Sequence, residues 1–264
     1  MIIDQAMAAK VHGEQGPGFA RINTFADPSV GEAMRDDVIA LVRASDGRVA
    51  EVDGALVLPE GQADFRAKAP EDRISKVFRL HRRPVFADFI RSPEVVDVLR
   101  NDLGPDVDCF LSQFIFKNPG AWGQPWHQDS FYFHFEPRRP IVGLWLAITE
   151  ATLQNGCLHV LPGSQREPIH EHVPDARPGA NYGYVEIVDH DMTGSTPVLM
   201  DPGDLLVFDS HLMHRSTDNL SDGYRGAMVF HFCLPVVGTE PDNVVNDRVP
   251  LLRGGELVPA DPYN

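Results

Sequence analysis

The chain has 264 residues, 43% of them hydrophobic, so it is long enough to bury a core and its composition is not that of a disordered protein. Its formal net charge of −15 disfavours a nucleic-acid partner, because phosphate binding needs clustered lysine and arginine. No run of about 18 apolar residues is present, which argues against a membrane span, and Met1 to Lys10 lacks the basic start and apolar run of a signal peptide.

The first hundred residues predict helices and loops. An amphipathic helix follows Pro28-Ser29 and runs to Ala44, because its apolar residues recur at helical spacing. Two shorter helices open at Pro84 and Pro93, and Gly104 ends the second of them. Their predicted ranges are Val85–Ile90 and Glu94–Leu103.

From Val107 onward the pattern changes to that of a β protein. Val107–Lys117 is an extended apolar and aromatic run that the turn signal Asn118-Pro119-Gly120 stops. Further predicted strands are short and are separated by Gly, Pro, Asn and Asp: Ile141–Thr149, Leu158–Leu161, Tyr184–Val188, Pro197–Met200, Leu205–Phe208 and Ala227–Leu234. Many short strands of this kind predict a sandwich or jelly roll. The Pro- and Asp-rich tail after Gly238 is expected to wrap the surface.

The three cysteines, Cys109, Cys157 and Cys233, are far apart and odd in number, and none forms a CxxC pair. This usage is typical of reduced, buried thiols and predicts neither a disulfide framework nor a zinc knuckle. We therefore expect a cytoplasmic protein.

The segment Trp126-His127-Gln128-Asp129 contains a candidate metal-binding pair. Residues i and i+2 of a strand point to the same face, so an extended segment presents the imidazole and the carboxylate side by side. Two histidines and one carboxylate on one side of an ion, with open positions opposite, are diagnostic of non-heme iron(II) oxygenases. The tripeptide alone is a weak signal, because motif matches of this length have a high false-positive rate.

A further ligand must come from the downstream half, where the segment Gly203–Ser210 leads to His211 and His214. On the residues alone, both histidines are candidates. Arg225 follows, just ahead of a predicted strand. A dicarboxylate co-substrate needs a cation for its far carboxylate, and arginine offers two parallel hydrogen bonds and keeps its charge.

Several motifs then occur in a specific order: Phe116-Lys117-Asn118-Pro119-Gly120, Trp126-His127-Gln128-Asp129, Asn155-Gly156-Cys157-Leu158, Leu161-Pro162-Gly163-Ser164, Pro202-Gly203-Asp204 and His214-Arg215-Ser216. From about Asp72 to Leu234 the chain resembles the phytanoyl-CoA dioxygenase family, and especially its short single-domain members. That family places its distal histidine eleven residues before its arginine. His214 stands eleven residues before Arg225 and His211 fourteen, so the resemblance selects His214 as the third ligand.

The resemblance implies a double-stranded β-helix, a jelly roll of cupin type, in a single domain over residues 1–264. A helical part would cover about 1–105, the jelly-roll core about 106–235 and a C-terminal tail 236–264.

The resemblance also implies contacts to 2-oxoglutarate from five residues: Arg225, Trp145, Lys76, Gln113 and Ser216. Substrate-facing candidates lie just past the first two ligands: Gln128, Phe131, Tyr132 and His134. Simple packing also explains some of the substrate-facing candidates. Trp145 is equally compatible with a core aromatic residue, and Lys76 with a solvated surface lysine. The remaining histidines are expected to be structural or surface residues: His81, His159, His170, His172, His190 and His231. His159 is the one that the resemblance places near the site.

The implied chemistry is that of an iron(II)- and 2-oxoglutarate-dependent dioxygenase, using O2 and supported by ascorbate. It would hydroxylate a C–H bond of a small metabolite or natural-product intermediate and release succinate and CO2. Related halogenases lack the carboxylate ligand, so Asp129 favours hydroxylation. Three alternatives remain open: an acyl-CoA hydroxylase of the same chemistry, a non-catalytic metal-binding jelly roll, and a cupin-type isomerase or dioxygenase without 2-oxoglutarate. The last two would leave Arg225 without a role.

Overall fold

A computed structural model describes residues 8–62, 68–133, 135, 138–181, 183–235 and 247–259. The α-helices of these residues are α1 (Ala8–Val11), α2 (Pro28–Ala44), α3 (Pro84–Ile90) and α4 (Pro93–Asp102). Helix α2 begins at a proline, and the Asp27 side chain caps it by accepting a hydrogen bond from the Ser29 N–H. Ser92 caps α4 in the same way, through the N–H of Val95.

Most strands are short, and two long ones, β5 and β13, run side by side in the middle of the main sheet. In chain order the strands are β1 (Phe19–Ile22), β2 (Ala50–Val52), β3 (Ala55–Pro59), β4 (Ile74–Phe78), β5 (Val107–Lys117), β6 (Ile141–Ala147), β7 (Leu158–Val160), β8 (His172–Pro174), β9 (Val185–Ile187), β10 (Thr196–Val198), β11 (Leu205–Asp209), β12 (His214–Ser216), β13 (Arg225–Cys233), β14 (Val249–Arg253) and β15 (Glu256–Leu257).

The main sheet is antiparallel, and its strands follow the order β1-β11-β6-β13-β5-β4-β3-β2. Strand β5 is long enough to take two neighbours on one side. Its second half pairs with β4, and its first residues pair with β14, which carries β15 at its outer edge. The N-terminal segment and the C-terminal tail are therefore built into the same sheet as the central strands.

A smaller sheet of order β10-β7-β12 faces the main sheet, and β8 and β9 form a separate hairpin. Alternate residues of β13 face this smaller sheet, where Ala227 and Val229 pack with Leu158 and Val160. The intervening residues of β13, such as Phe230, face a second core beneath the helices, with Met34 of α2. Two facing antiparallel sheets with helices on the outside make up the expected jelly roll.

The predicted helices agree with α2, α3 and α4, and the predicted strand Val107–Lys117 agrees with β5 in both bounds. The other predicted strands are present with ends that differ by one or two residues; β10 covers Thr196–Val198 where Pro197–Met200 was expected. The first hundred residues also contain β1 to β4, which the sequence pattern does not predict. The tail beyond the undescribed residues 236–246 was expected only to wrap the surface, yet it adds β14 to the main sheet.

A buried ion cluster fastens the N-terminal segment to the body of the protein. The Nδ1 of His12 lies 2.7 Å from Asp209 Oδ2, and its Nε2 lies 3.2 Å from Asp102 Oδ2. Burial by itself lowers the pKa of His12, but the two carboxylates outweigh it and raise that pKa to about 9. The imidazolium therefore joins α1 to α4 and β11 at neutral pH.

The three cysteines are buried and form no disulfide with one another, as predicted. Among the described residues, no helix has the length and apolar character that crossing a bilayer requires.

Candidate metal centre and active-site cavity

His127, Asp129 and His214 converge at one point, although 87 positions separate the first from the last in the numbering. Oδ1 of Asp129 lies 3.5 Å from the Nε2 of His127 and 3.7 Å from the Nε2 of His214. The two imidazole ring centres are 4.2 Å apart. A two-residue antiparallel bridge holds the histidines together, because each donates its backbone N–H to the carbonyl oxygen of the other.

Both histidines present the nitrogen that a metal needs. The Nδ1–H of His127 donates to the carbonyl of Pro125 at 2.8 Å, and that of His214 donates to the carbonyl of Leu212 at 2.9 Å. With the proton held on Nδ1, each Nε2 keeps its lone pair and points at Asp129 Oδ1. Hydrogen bonds of this kind fix the tautomer and orientation of metal-binding histidines.

The carboxylate of Asp129 is oriented from behind by His231 of β13. The Nε2 of His231 lies 2.8 Å from Asp129 Oδ2, which leaves Oδ1 for the metal. His231 is buried among the aromatic rings of Phe110, Phe133 and Phe208, and its Nδ1 has no hydrogen-bond partner. This histidine was expected to be a structural or surface residue; it is buried and contacts a candidate metal ligand.

The charge states suit a divalent cation. Burial alone would raise the pKa of Asp129, but the neighbouring His214, His127 and His231 hold it well below its usual range. Burial, then the nearby His127, lowers the pKa of His214 to about 4. At neutral pH the site therefore offers an ionised carboxylate and a neutral imidazole from His214, the forms that bind iron or zinc.

Arg225 is a buried cation without a carboxylate partner among the described residues. Its Nη2 donates to the Gly156 carbonyl at 2.9 Å, while Nε and Nη1 are buried and have no partner. Burial lowers its pKa to about 10, so the guanidinium is still charged at neutral pH. A buried charge with two free donors is costly unless an anion binds it. Arg225 lines the same cavity as His127, Asp129 and His214.

Glycine is required at position 156, in the Asn155-Gly156-Cys157 motif. Gly156 has a φ of +86°, and a Cβ there would lie 2.4 Å from the carbonyl oxygen of Thr217. Because the backbones of Gly156 and Thr217 lie this close together, the Gly156 carbonyl is placed to accept the hydrogen bond from Arg225.

Two further polar groups in the cavity lack partners. The indole Nε1 of Trp145 is buried without an acceptor, and the Arg225 guanidinium lies 5.5 Å from the centre of that ring. The side-chain oxygen of Gln113 is also buried and unpartnered. Both residues line the cavity, in keeping with their predicted place beside the co-substrate.

Lys76 and Ser216, the other predicted co-substrate contacts, line the cavity but have protein partners. The Nζ of Lys76 donates to Gln124 Oε1 at 3.1 Å and lies over the Tyr184 ring. The Oγ of Ser216 accepts from the Gln124 N–H at 3.1 Å, which leaves its hydroxyl hydrogen free for a ligand. Gln124 thus connects the two residues.

Lys117 lies next to the arginine, in a contact that the sequence analysis did not identify. It is paired with Arg225 across β5 and β13, and its Nζ donates to the carbonyls of Trp122 and Thr217. Burial, followed by the positive charge of Arg225, holds the pKa of Lys117 well below its usual range. Arg225 is therefore the stronger candidate for a permanent anion contact.

The substrate-facing candidates fall into different environments. Tyr132 lines the cavity and lies edge-on to His127, with ring centres 6.0 Å apart. Gln128 lies between two ligands on an extended segment, so its side chain points the opposite way. Its amide donates to the carbonyls of Pro168 and His211 and accepts from the His170 N–H, away from the cavity. Phe131 is 38% exposed and stacks on His172, and His134 lies outside the described residues.

His211, the rejected alternative ligand, hydrogen-bonds Ser130 Oγ through Nδ1 at 2.9 Å and is not part of the metal-binding trio. His159 of β7 is not one of the described residues that line the cavity. The sequence spacing that favoured His214 is thus consistent with the geometry.

The cavity has a volume of about 850 Å³, within the range of small-molecule sites. The metal-binding trio and Arg225 both lie along its wall. Apolar residues of β3 to β5 and the loop after Asp129 line much of the rest: Leu56, Leu58, Phe78, Leu111, Ile115 and Phe133. Glu60 lines it too, and burial raises the pKa of this carboxyl.

Comparison with known proteins gives consistent matches. A model of the family described as phytanoyl-CoA dioxygenase (PhyH) matches residues 15–227. Peroxisomal phytanoyl-CoA dioxygenase of Bos taurus is 30% identical over 195 residues, which cover 69% of this chain and 58% of that protein. Phytanoyl-CoA dioxygenase domain-containing protein 1 of Rattus norvegicus is 34% identical over 61% of this chain and 58% of its own length. The match thus spans less than two thirds of these two relatives.

Solved structures share the fold. EvdO2 from Micromonospora carbonacea var. aurantiaca, complexed with 2-oxoglutarate, superposes with a TM-score of 0.64 at 24% identity, covering 90% of this chain and 95% of that one. EctD from S. alaskensis with bound Fe gives a TM-score of 0.64 at 22% identity over 88% and 77% of the two chains. At these identities the likeness establishes a common architecture.

Proposed function

Because the chain belongs to the phytanoyl-CoA dioxygenase family, we propose that it is an iron(II)- and 2-oxoglutarate-dependent dioxygenase. We further propose that it hydroxylates a C–H bond of a small, largely apolar metabolite. The observation that carries the proposal is the buried guanidinium of Arg225, which lacks an anion and shares a cavity with His127, Asp129 and His214. A metal site alone would not need such a cation.

His127, His214 and Asp129 would hold the ferrous ion through two Nε2 atoms and one Oδ1. Their donor set fits iron(II), because two imidazoles and one carboxylate gathered on one side leave the opposite positions free for other ligands. The ion, when bound, supplies the oxygen chemistry that couples decarboxylation of 2-oxoglutarate to oxidation of the substrate. The task of His231 is to keep the second carboxylate oxygen of Asp129 turned away from the metal.

Arg225 would bind the far carboxylate of 2-oxoglutarate through its guanidinium, whose Nε and Nη1 have no partner among the described residues. Trp145 would donate its free indole N–H to the same co-substrate, and Ser216 its hydroxyl hydrogen. Gln113 and Lys76 would complete the polar wall. Burial of this end excludes water, which strengthens each of these contacts.

The remaining wall of the cavity supports an apolar substrate of modest size. Of the described lining residues, the lysines and arginines are Lys76, Lys117 and Arg225. Lys117 and Arg225 pair directly across two strands, and Lys76 pairs with Ile115, two residues from Lys117. The cations thus cluster where 2-oxoglutarate would bind. Within the described lining of the cavity, the counter-charges for a substrate with several phosphates, such as an acyl-CoA, lie only there, which favours an uncharged metabolite over the alternative.

The decisive experiment does not require the substrate to be known. The protein is freed of metal, reconstituted with iron(II) without oxygen, and titrated with 2-oxoglutarate while the visible charge-transfer absorption of the iron chelate is followed. Oxygen is then admitted, and succinate is measured alone and with a panel of metabolites. We expect one chelate per chain and succinate that depends on iron, 2-oxoglutarate and O2. Asp129→Ala, which removes one ligand, should form no succinate.

Iron binding without chelate formation or succinate would support the non-catalytic alternative and overturn the proposal. Consumption of O2 or of a panel metabolite in the absence of 2-oxoglutarate, with no succinate formed, would point instead to a different cupin-type reaction.

A further inference from the structure

A second group of metal-binding side chains lies outside the cavity, beside the β8–β9 hairpin. Glu167, His170 and His190 each offer one donor atom, and these atoms lie within 4.8 Å of one another. The Nε2 of His170 is 2.9 Å from Glu167 Oε2, and the Nε2 of His190 is 3.1 Å from the same oxygen. The two imidazole rings stand almost perpendicular, with centres 5.0 Å apart.

The hairpin brings these residues together from distant positions. Glu167 follows the short 3-10 turn Ser164–Arg166, and His170 lies just before β8. Strand β9 runs antiparallel to β8, so the residues that follow β9 return to those that precede β8. His190 therefore faces His170 across the open end of the hairpin.

A second carboxylate supports the group from behind. Oδ1 of Asp189 lies 3.4 Å from the Nδ1 of His170, on the side of the ring opposite Glu167. A carboxylate on one imidazole nitrogen with the other nitrogen aimed at a donor cluster is the arrangement that orients metal-binding histidines. The Nδ1 of His190 is buried and lacks a hydrogen-bond partner.

We propose that Glu167, His170 and His190 form a second metal site, separate from the iron centre, that takes a zinc-class divalent transition metal. Two imidazole nitrogens and one carboxylate oxygen are a donor set that zinc accepts in its tetrahedral geometry, with water as the fourth ligand. The three side chains are partly exposed, which leaves room for that water. Imidazole donors favour zinc, copper or nickel over calcium or magnesium, and zinc generally binds more tightly than iron(II) to such donors.

A divalent cation also resolves the charge of the cluster. Glu167 and Asp189 bring two carboxylates to a small region of a chain that already carries a net charge of −15. A single carboxylate oxygen now receives two imidazole nitrogens at hydrogen-bond distance. A bound metal ion would replace the hydrogen bonds between these nitrogens and the oxygen, and its positive charge would offset the negative charges of Glu167 and Asp189.

The second site is connected to the iron ligands through Gln128. The backbone N–H of His170 donates to Gln128 Oε1 at 2.9 Å, and the amide of Gln128 donates to the Pro168 carbonyl at 3.1 Å. Gln128 stands between His127 and Asp129 in the chain. A metal at the hairpin would therefore stiffen the segment on which two iron ligands are carried, without touching the cavity.

The test counts metal ions on tag-free, full-length protein. Metal-free protein is loaded with zinc and dialysed against metal-free buffer, and bound zinc is measured by elemental analysis. We expect two equivalents in the wild type. The double substitution His127→Ala with His214→Ala should keep one equivalent, and so should His190→Ala. His159→Ala, which removes a partly exposed histidine outside both clusters, should keep two.

Glu167→Gln preserves the shape of the side chain and should also lose the second equivalent, and Asp189→Asn should weaken it by about 10–100-fold. Cobalt(II) added to the double variant should give the intense visible spectrum of a four-coordinate ion. A double variant that retains no zinc after dialysis would overturn the second site, whatever the wild type does in the succinate assay. So would a His190→Ala protein that still holds two equivalents. Failure of the proposed catalysis would leave the zinc count of the double variant unchanged.

Discussion

Replacement of Arg225 by methionine separates co-substrate binding from metal binding and from folding. The guanidinium has two buried nitrogens that lack partners, Nε and Nη1, and a carboxylate accepts two parallel hydrogen bonds from one edge of an arginine. A hydrogen bond to a charged group contributes about 1.5–3 kcal/mol, so the loss of two such bonds costs at least about 3 kcal/mol. That free energy corresponds to an increase of about 150-fold in the dissociation constant of 2-oxoglutarate.

The fold should tolerate Arg225→Met, because a buried guanidinium with two unpartnered donors destabilises the ligand-free protein. Methionine has a similar length and places no charge in the cavity. We therefore expect the melting temperature of the ligand-free variant to equal or exceed that of the wild type. In iron-loaded protein without oxygen, 2-oxoglutarate should raise the melting temperature of the wild type but not of the variant.

The assay is a calorimetric titration of 2-oxoglutarate into iron(II)-loaded protein, with iron affinity measured separately. Arg225→Lys keeps the charge but loses the forked donors, so it should fall between the wild type and Arg225→Met. Arg43→Met removes a guanidinium of α2 whose side chain is 62% exposed and serves as the matched control. Wild-type affinity for 2-oxoglutarate in the methionine variant would refute the assignment of Arg225 as the carboxylate partner.

Three further outcomes follow from the structure. His231→Leu removes the donor to Asp129 and should weaken iron binding by about 10–100-fold, while His231→Gln should restore part of it; equal affinities in an anaerobic titration would contradict the orienting role. His12→Gln should cost about 3 kcal/mol of unfolding free energy, and because the pKa of His12 is raised from 6.5 to about 9, the difference should be full below pH 6.5 and vanish as the pH rises through about 9. Urea denaturation across this range tests the trend, and a constant difference would exclude it. Gly156→Ala should lose about 1–3 kcal/mol and bind 2-oxoglutarate more weakly, whereas Gly54→Ala, which has positive φ but no atom within 4 Å of its Cβ, should lose only about 1 kcal/mol and bind normally.

The parts of the fold that the sequence predicts are those with local causes. Strand β5 has the predicted bounds because an uninterrupted apolar run ends at a turn signal, and α2 because a cap and a proline fix its start. Strands β1 and β4 have no such signals. They form because they hydrogen-bond to the backbones of β11 and β5, respectively. The sequence of a four- or five-residue segment does not reveal which distant strand it will pair with.

The convergence of the candidate metal ligands was predictable in part because the spacing of His127 and Asp129 follows strand geometry, and the same geometry explains what was missed. The alternation that places His127 and Asp129 on one face turns Gln128 to the other, so the expectation that Gln128 faces the substrate conflicted with the rule that found the ligands. His231 stands at an even spacing from Arg225 on β13, and thus on the same face. Period-two counting from the arginine would have brought it into the site.

The two ends of β13 also indicate which kind of 2-oxo acid the cavity would accept. Arg225 and His231 stand six residues apart on the same face of this strand. His231 reaches the metal end through Asp129, and Arg225 reaches inward from the other end with the longest cationic side chain. A co-substrate that joins the two ends would need one carboxylate at the guanidinium and a chelating group at the metal. A dicarboxylic 2-oxo acid meets that demand, whereas a monocarboxylic one such as pyruvate would leave the buried charge of Arg225 uncompensated and would bind poorly.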